Sequence, residues 1–199
     1  MFFETKKNNH GLPHDPIKAL VTPRPIGWIS TKSKDGVPNL APYSFFNLLS
    51  HDPYIVGFSS GMRKDSQRNA EETGEFVCNF ASCNLMEAIN QSSDFVPSHV
   101  NEFELARVTE KPSQLITPPG VAEAHAHLEC TYMDTIKLDG IWNLVLGRVV
   151  GVHIDDQFIK EGLVDTKAMS PLARLGYMDY GKLGEVFSKE RPQEFGNMA

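Results

Sequence analysis

Much of the chain follows a two-residue rhythm. In Glu75–Phe80 (EFVCNF), Phe76, Cys78 and Phe80 alternate with Val77 and Asn79. In residues 124–133 (AHAHLECTYM), His125, His127 and Glu129 alternate with Ala126, Leu128 and Cys130. Alternation of this kind sends successive side chains to opposite faces of a strand. Residues 26–31 (IGWIST), residues 54–60 (YIVGFSS) and Trp142–Ile154 (WNLVLGRVVGVHI) are rich in β-branched and aromatic residues and predict further strands. Asp35-Gly36 and Asp139-Gly140 mark tight turns between such runs. Residues 39–47 (NLAPYSFFN) interrupt the pattern, because Pro42 lacks an N–H and breaks a hydrogen-bond ladder. Six or so strands joined by tight turns predict a mainly β fold, with an antiparallel sheet that is closed or sandwiched.

Three segments carry helical signals. Residues 64–74 (KDSQRNAEETG) predict a helix capped by Asp65 or Ser66 and stopped at Gly74. Residues 83–93 (CNLMEAINQSS) predict a second, with Leu85, Met86 and Ile89 apolar and Asn84 as its cap. Residues 101–106 (NEFELA) predict a short third one capped by Asn101. Residues 111–120 (KPSQLITPPG) read as a proline-rich connection, and beyond Asp155 the pattern weakens into an ordered but irregular tail.

Composition narrows the class. With 199 residues, 41% hydrophobic and 22% charged, the chain has the make-up of one well-filled globular domain. A net charge of −6 argues against general nucleic-acid binding, which needs an excess of Lys and Arg on one face. Cys78, Cys83 and Cys130 are odd in number and lack metal-type spacing, so they read as free thiols in a reducing cytoplasm. No run of apolar residues reaches the roughly 18 that a membrane span requires, and none at the start resembles a signal peptide. The expectation is a cytoplasmic protein bound to neither membrane nor nucleic acid.

Three places carry candidate chemistry. Residues 59–69 (SSGMRKDSQRN) put Arg63 and Lys64 ahead of a helix whose last turns hold Glu71 and Glu72. That order opposes the helix dipole, at a cost of a few tenths to about 1 kcal/mol for each reversal. A bound anion would explain it, meeting two cations, free N–H groups and the Ser59, Ser60 and Ser66 hydroxyls; a solvated loop with ordinary caps is the plainer reading. In NLAPYSFFN, Phe45 and Phe46 suit either the core or a wall for a flat ligand, and strand alternation implies that one of the two is core. In HAHLE, His125, His127 and Glu129 share a strand face and could hold a divalent metal, against the alternative of a titratable surface face. No phosphate-binding glycine loop and no nucleophile elbow is present.

Taken in order, seven stretches resemble the flavin reductase-like family with the FMN-binding split-barrel fold. They are TPRPIGWIST (22–31), DGVPNLAPYSFFN (35–47), RKDSQRNAEETGEFVCN (63–79), EFELA (102–106), AHLEC (126–130), LVLGRVVGVHIDD (144–156) and PLARLGYMDY (171–180). The resemblance implies an antiparallel split β-barrel with flanking helices, one non-covalent FMN per subunit, and a homodimer with the flavin near the interface. It implies that Pro42, Tyr43, Ser44, Phe45, Phe46 and Asn47 run along the flavin ring. It places Ser59, Ser60, Arg63, Lys64, Asp65, Ser66 and Asn69 at the phosphate and ribityl chain. Arg174, Gly176 and Tyr180 match a motif that folds toward the flavin or the dimer partner.

The activity so implied is that of an NAD(P)H:flavin reductase-like enzyme serving a monooxygenase or another electron-acceptor protein. The cofactor carries the chemistry, so no catalytic side chain is expected. One departure stands out. Related reductases carry Gly-Asp-His before the long strand, whereas residues 138–144 here read LDGIWNL, with Trp142 and no histidine. That departure leaves a flavoredoxin-type electron carrier as the alternative, and a metal-dependent barrel enzyme as the distant third.

Overall fold

The computed structural model of the chain describes residues 1–190. A short helix, α1 (Ile17–Leu20), leads into β1 (Arg24–Pro25), β2 (Gly27–Lys32), β3 (Pro38–Tyr43), β4 (Phe46–His51) and β5 (Tyr54–Gly61). Helix α2 (Asp65–Thr73) and β6 (Glu75–Phe80) follow, then α3 (Met86–Gln91) and α4 (Glu102–Ala106). The short pair β7 (Glu110–Lys111) and β8 (Gly120–Val121) precedes the long hairpin β9 (Ala126–Lys137) and β10 (Trp142–Ile154). The tail forms β11 (Ile159–Lys160), β12 (Leu163–Val164), α5 (Thr166–Met169), β13 (Leu172–Arg174) and β14 (Tyr180–Lys182).

Seven strands hydrogen-bond in the order β3-β2-β6-β9-β10-β5-β4, every neighbour antiparallel. β1, β13 and β14 make a separate three-stranded sheet. Because β3 is an edge strand bonded only to β2, Pro42 can sit opposite Trp28 without removing an inter-strand bond from a second neighbour.

The inner strand β2 is buried on both faces, and its alternation divides the core in two. Trp28 packs with Leu85, Ile89 and Phe103 on the α3–α4 side. Ile29 packs with Phe58, Ala70, Phe76 and Val145 on the other. Each such large apolar side chain stabilises the fold by about 1.5–3 kcal/mol. The Trp28 Nε1–H donates to the Ser92 hydroxyl at 2.9 Å, so the buried indole keeps a polar partner.

Local structure departs from the expected boundaries for identifiable reasons. Helix α2 begins at Asp65, with Lys64 in the cap position and no side-chain cap, so neither Asp65 nor Ser66 plays that role. It ends at Gly74 as predicted, in the left-handed region at φ 80°. The second helix starts as a 3-10 turn over Cys83–Leu85, and Asn84 caps nothing. Asn101 does cap α4, accepting from the Phe103 N–H. Residues 39–47 do not form one strand: β3 ends at Tyr43, Ser44 and Phe45 leave the ladder, and β4 starts at Phe46. Among the described residues no helix is long and apolar enough to cross a membrane.

Candidate functional site

The β3–β4 break lies over the end of β5. The Phe45 carbonyl still accepts from the Ser59 N–H at 2.8 Å, so the chain leaves the ladder without orphaning this group. The Phe45 side chain is 37% exposed and meets Trp142, the first residue of β10, with ring centroids 5.3 Å apart. These rings form one wall of a cavity of about 420 Å³, which Pro42, Tyr43, Ser44, Ser59 and Lys64 also line. Lys18 reaches it from α1, Arg24 from β1 and Arg174 from β13. Its lining therefore carries four basic side chains and, among the described residues, no carboxylate.

A second cavity of about 250 Å³ adjoins the first, sharing Pro42, Tyr43 and Lys64. Asp65, Ser66 and the buried Glu102 line its far side. The Glu102 carboxylate accepts from the Leu40 N–H at 3.2 Å and from the Asn39 amide at 3.3 Å. Burial, with Asp65 adding to it, outweighs those bonds and pushes this carboxyl up to about 7. Burial likewise raises the Tyr43 hydroxyl above its ordinary value.

The residues singled out in the sequence fall into three groups. Pro42, Tyr43, Ser44, Phe45, Ser59 and Lys64 meet at the larger cavity, and Asp65 and Ser66 at its polar neighbour. Ser60 and Asn69 are buried behind them, with Ser60 Oγ donating to the Met62 carbonyl and the Asn69 amide to Thr31 Oγ1. Arg63, Phe46 and Asn47 point elsewhere. Arg63 folds along α2 onto Glu71 at 2.6 Å and Glu72 at 3.3 Å, so its misplaced charge is answered within the chain. Lys64, by contrast, has no carboxylate within ion-pair distance among the described residues, and its Nζ lies 4.3 Å from the Phe95 ring centre. Asn47 is exposed on β4 and accepts from the Leu48 N–H.

Phe46 lies in a different place from Phe45. It packs against the core at Gly27, where a Cβ would come within 2.6 Å of its ring. It also lines a larger apolar cleft of about 770 Å³ with Ile26, Leu128, Leu172, Leu175 and Leu183.

The HAHLE face does not assemble as a metal site. The Glu129 oxygens accept from the Gln114 and Leu115 N–H groups, both at 2.7 Å, and from His153 Nε2 at 2.5 Å. Burial works to raise this carboxyl, but the Gln114 N–H, His153 and the Leu115 N–H outweigh it and hold it below its usual range. His127 is buried and stacks on His153 with centroids 4.2 Å apart; burial lowers its imidazole to about 4. His125 turns to Phe158 instead. No group of three His, Cys, Asp or Glu among the described residues is placed to hold a metal ion.

Lys18 and Arg24 were not foreseen as site residues. Arg24 left one signal, a basic residue between two prolines in an otherwise apolar run, TPRPIG. Lys18 left none.

Comparison with known proteins agrees with this architecture. Residues 20–173 match the model of the flavin reductase like domain. Uncharacterized protein BH2278 of Halalkalibacterium halodurans is 38% identical over 198 residues, covering 94% of this chain and 93% of that protein. The crystal structure of nitrilotriacetate monooxygenase component B from Bacillus cereus superposes with a TM-score of 0.84 at 35% identity, covering 94% of this chain and 95% of that one. A split-barrel domain protein from Shewanella frigidimarina gives 0.83 at 21% identity over 96% and 94% of the two chains, which establishes the fold as a split barrel. With its antiparallel strands and flanking helices in that arrangement, the chain belongs to the flavin reductase-like family and to its flavin-associated redox chemistry.

Proposed function

We propose that this chain is an FMN-dependent oxidoreductase of the NAD(P)H:flavin reductase type, holding FMN non-covalently in the 420 Å³ cavity. One observation carries the reading: the aromatic wall of Phe45 and Trp142 in a cavity whose Lys64 end, beside Ser59, has no carboxylate in its lining among the described residues. That lining complements a flat heteroaromatic ring attached to a phosphate. Phe45 and Trp142 would hold the ring, while Lys64, Ser59 and the N–H groups opening α2 would hold the phosphate. FMN, when bound, supplies the reversible electron transfer. The side chains bind and orient it, and none is assigned a proton-transfer role.

The homodimer belongs to this proposal. The apolar cleft at Phe46 and the exposed Leu48 and Leu49 on edge strand β4 are surfaces that a second copy would cover. The electron acceptor proposed is a monooxygenase or another partner protein, in line with the likeness to a monooxygenase component. Replacing Leu48 and Leu49 together with Asp is expected to convert a dimer to monomers in sedimentation. An unchanged dimer would move the interface elsewhere.

A second reading, a flavoredoxin-type carrier without direct NAD(P)H use, is favoured by Trp142, whose ring packs on Phe45 at the cavity wall. Anaerobic titration with NADH and NADPH separates the two. The reductase predicts bleaching of the bound flavin; a flavin that stays oxidised at every nicotinamide concentration leaves only the carrier.

A further inference from the structure

Two of the four basic residues of the cavity stand directly opposite each other. Arg24 on β1 and Arg174 on β13 are cross-strand partners in the antiparallel register. Like charges in that relation destabilise a sheet. Burial first, and Arg174 second, lower the Arg24 guanidinium below its ordinary value. Among the described residues neither arginine has a carboxylate within ion-pair distance.

Both side chains are nonetheless fixed in place. Arg24, 8% exposed, donates to the carbonyls of Lys18, Val21 and Leu175 at 2.6, 2.6 and 2.7 Å. Its Nε–H is buried and has no partner among the described residues. Arg174 donates to the Tyr177 carbonyl at 2.7 Å and lies 4.4 Å over the Tyr180 ring. The Arg24 guanidinium is also 5.7 Å from the centre of the Phe45 ring. A held pair of unneutralised guanidiniums beside an aromatic wall is organised for an oxyanion attached to a flat group.

We propose that Arg24 and Arg174 form a second anion subsite, separate from the phosphate end at Lys64, for the oxyanion of a planar co-substrate that exchanges electrons with the bound flavin. The inference rests on the flavin reading above, whose phosphate needs only the Lys64 end. The oxyanion is either the carboxylate of an aromatic acid or a phosphate of a dinucleotide, and the test distinguishes them.

The FMN-loaded full chain is titrated with benzoate, with pyrophosphate and with neutral benzamide, following the flavin absorbance and FMN fluorescence. Wild type is expected to bind one of the two anions and not benzamide. Arg174→Gln, which keeps donors for the Tyr177 carbonyl, is expected to weaken that anion about tenfold while FMN affinity stays within about twofold. Lys64→Ala is expected to do the reverse. Arg174→Lys serves as a second variant should the glutamine form unfold, and is expected to retain part of the anion affinity. Equal losses of FMN and anion in the Arg174 variants would overturn the proposal by giving the pair to the flavin phosphate. No binding of either anion to the FMN-loaded wild type would overturn it as well. Failure of wild type to bind FMN, with Arg174-dependent anion binding to the flavin-free chain, would remove the flavin reading and keep the anion subsite.

Discussion

Phe45 and Phe46 are adjacent in the chain and line different cavities. Phe45 faces the 420 Å³ cavity with its four basic residues, whereas Phe46 faces the 770 Å³ apolar cleft and leans on the core. The larger cavity has the less informative chemistry. Its walls are mostly apolar, which suits coverage by another apolar surface. The smaller one concentrates charge of one sign beside exposed rings, which suits a particular ligand. The two-residue period of β structure makes the division, since a chain leaving one strand and entering the next presents neighbouring side chains to opposite sides.

The sharpest way to break this comparison is to truncate each ring in turn. Phe46→Ala should cost about 2 kcal/mol of stability, as expected for a half-buried core phenylalanine, and leave FMN affinity nearly unchanged. Phe45→Ala should leave the denaturation midpoint close to wild type and weaken FMN by about tenfold. Denaturant titration and flavin fluorescence read the two effects; a reversed pattern would exchange the roles assigned to the two sides.

A smaller effect separates the adjacent cations. Lys64→Ala should lower FMN affinity by roughly tenfold, because this lysine lines the cavity and has no acidic partner among the described residues. Arg63→Ala should change it by less than about twofold, because the guanidinium is engaged by Glu71 and Glu72 on an exposed flank. Comparable losses in both variants would place Arg63 on the ligand after all.

The smallest effect concerns Glu102 in the adjoining polar cavity. Its carboxyl is raised on folding from 4.5 to about 7, so the folded chain holds the proton more tightly than the unfolded one. Its contribution is complete below pH 4.5 and fades as the pH rises through about 7. Wild type should therefore lose roughly 3–6 °C of Tm between pH 5 and 8 that Glu102→Gln does not lose. Parallel melting curves for the two proteins would assign the pH response to another group.

Much of the architecture was legible in the sequence. Alternation marked the strands of the large sheet, Gly74 marked the end of α2, and Asn101 marked the start of α4. The β-side of the cavity, Pro42 to Phe45 with Ser59 and Lys64, was legible because those residues lie within two neighbouring segments. The opposite side was legible only in part. The motif at residues 171–180 pointed Arg174 toward the flavin or the dimer partner and Trp142 stood out as a departure, and both line the cavity. Lys18 carried no sign, and Arg24 only its place between two prolines. The Arg24–Arg174 register is a long-range pairing with no local trace. The charge order at Arg63 has an answer that local sequence does not display, since a long side chain can fold back along its own helix, as Arg63 does to reach Glu71.

Arg24 joins carbonyls at positions 18, 21 and 175, the last 151 residues away in sequence. The beginning and end of the described fold are thereby fastened through one guanidinium. In the language of native-state exchange, residues 17–25 and 172–175 are expected to open as one unit, with their amides sharing protection. The cavity takes Lys18 and Arg24 from one end and Arg174 and Leu175 from the other, so three of its four basic side chains depend on that closure.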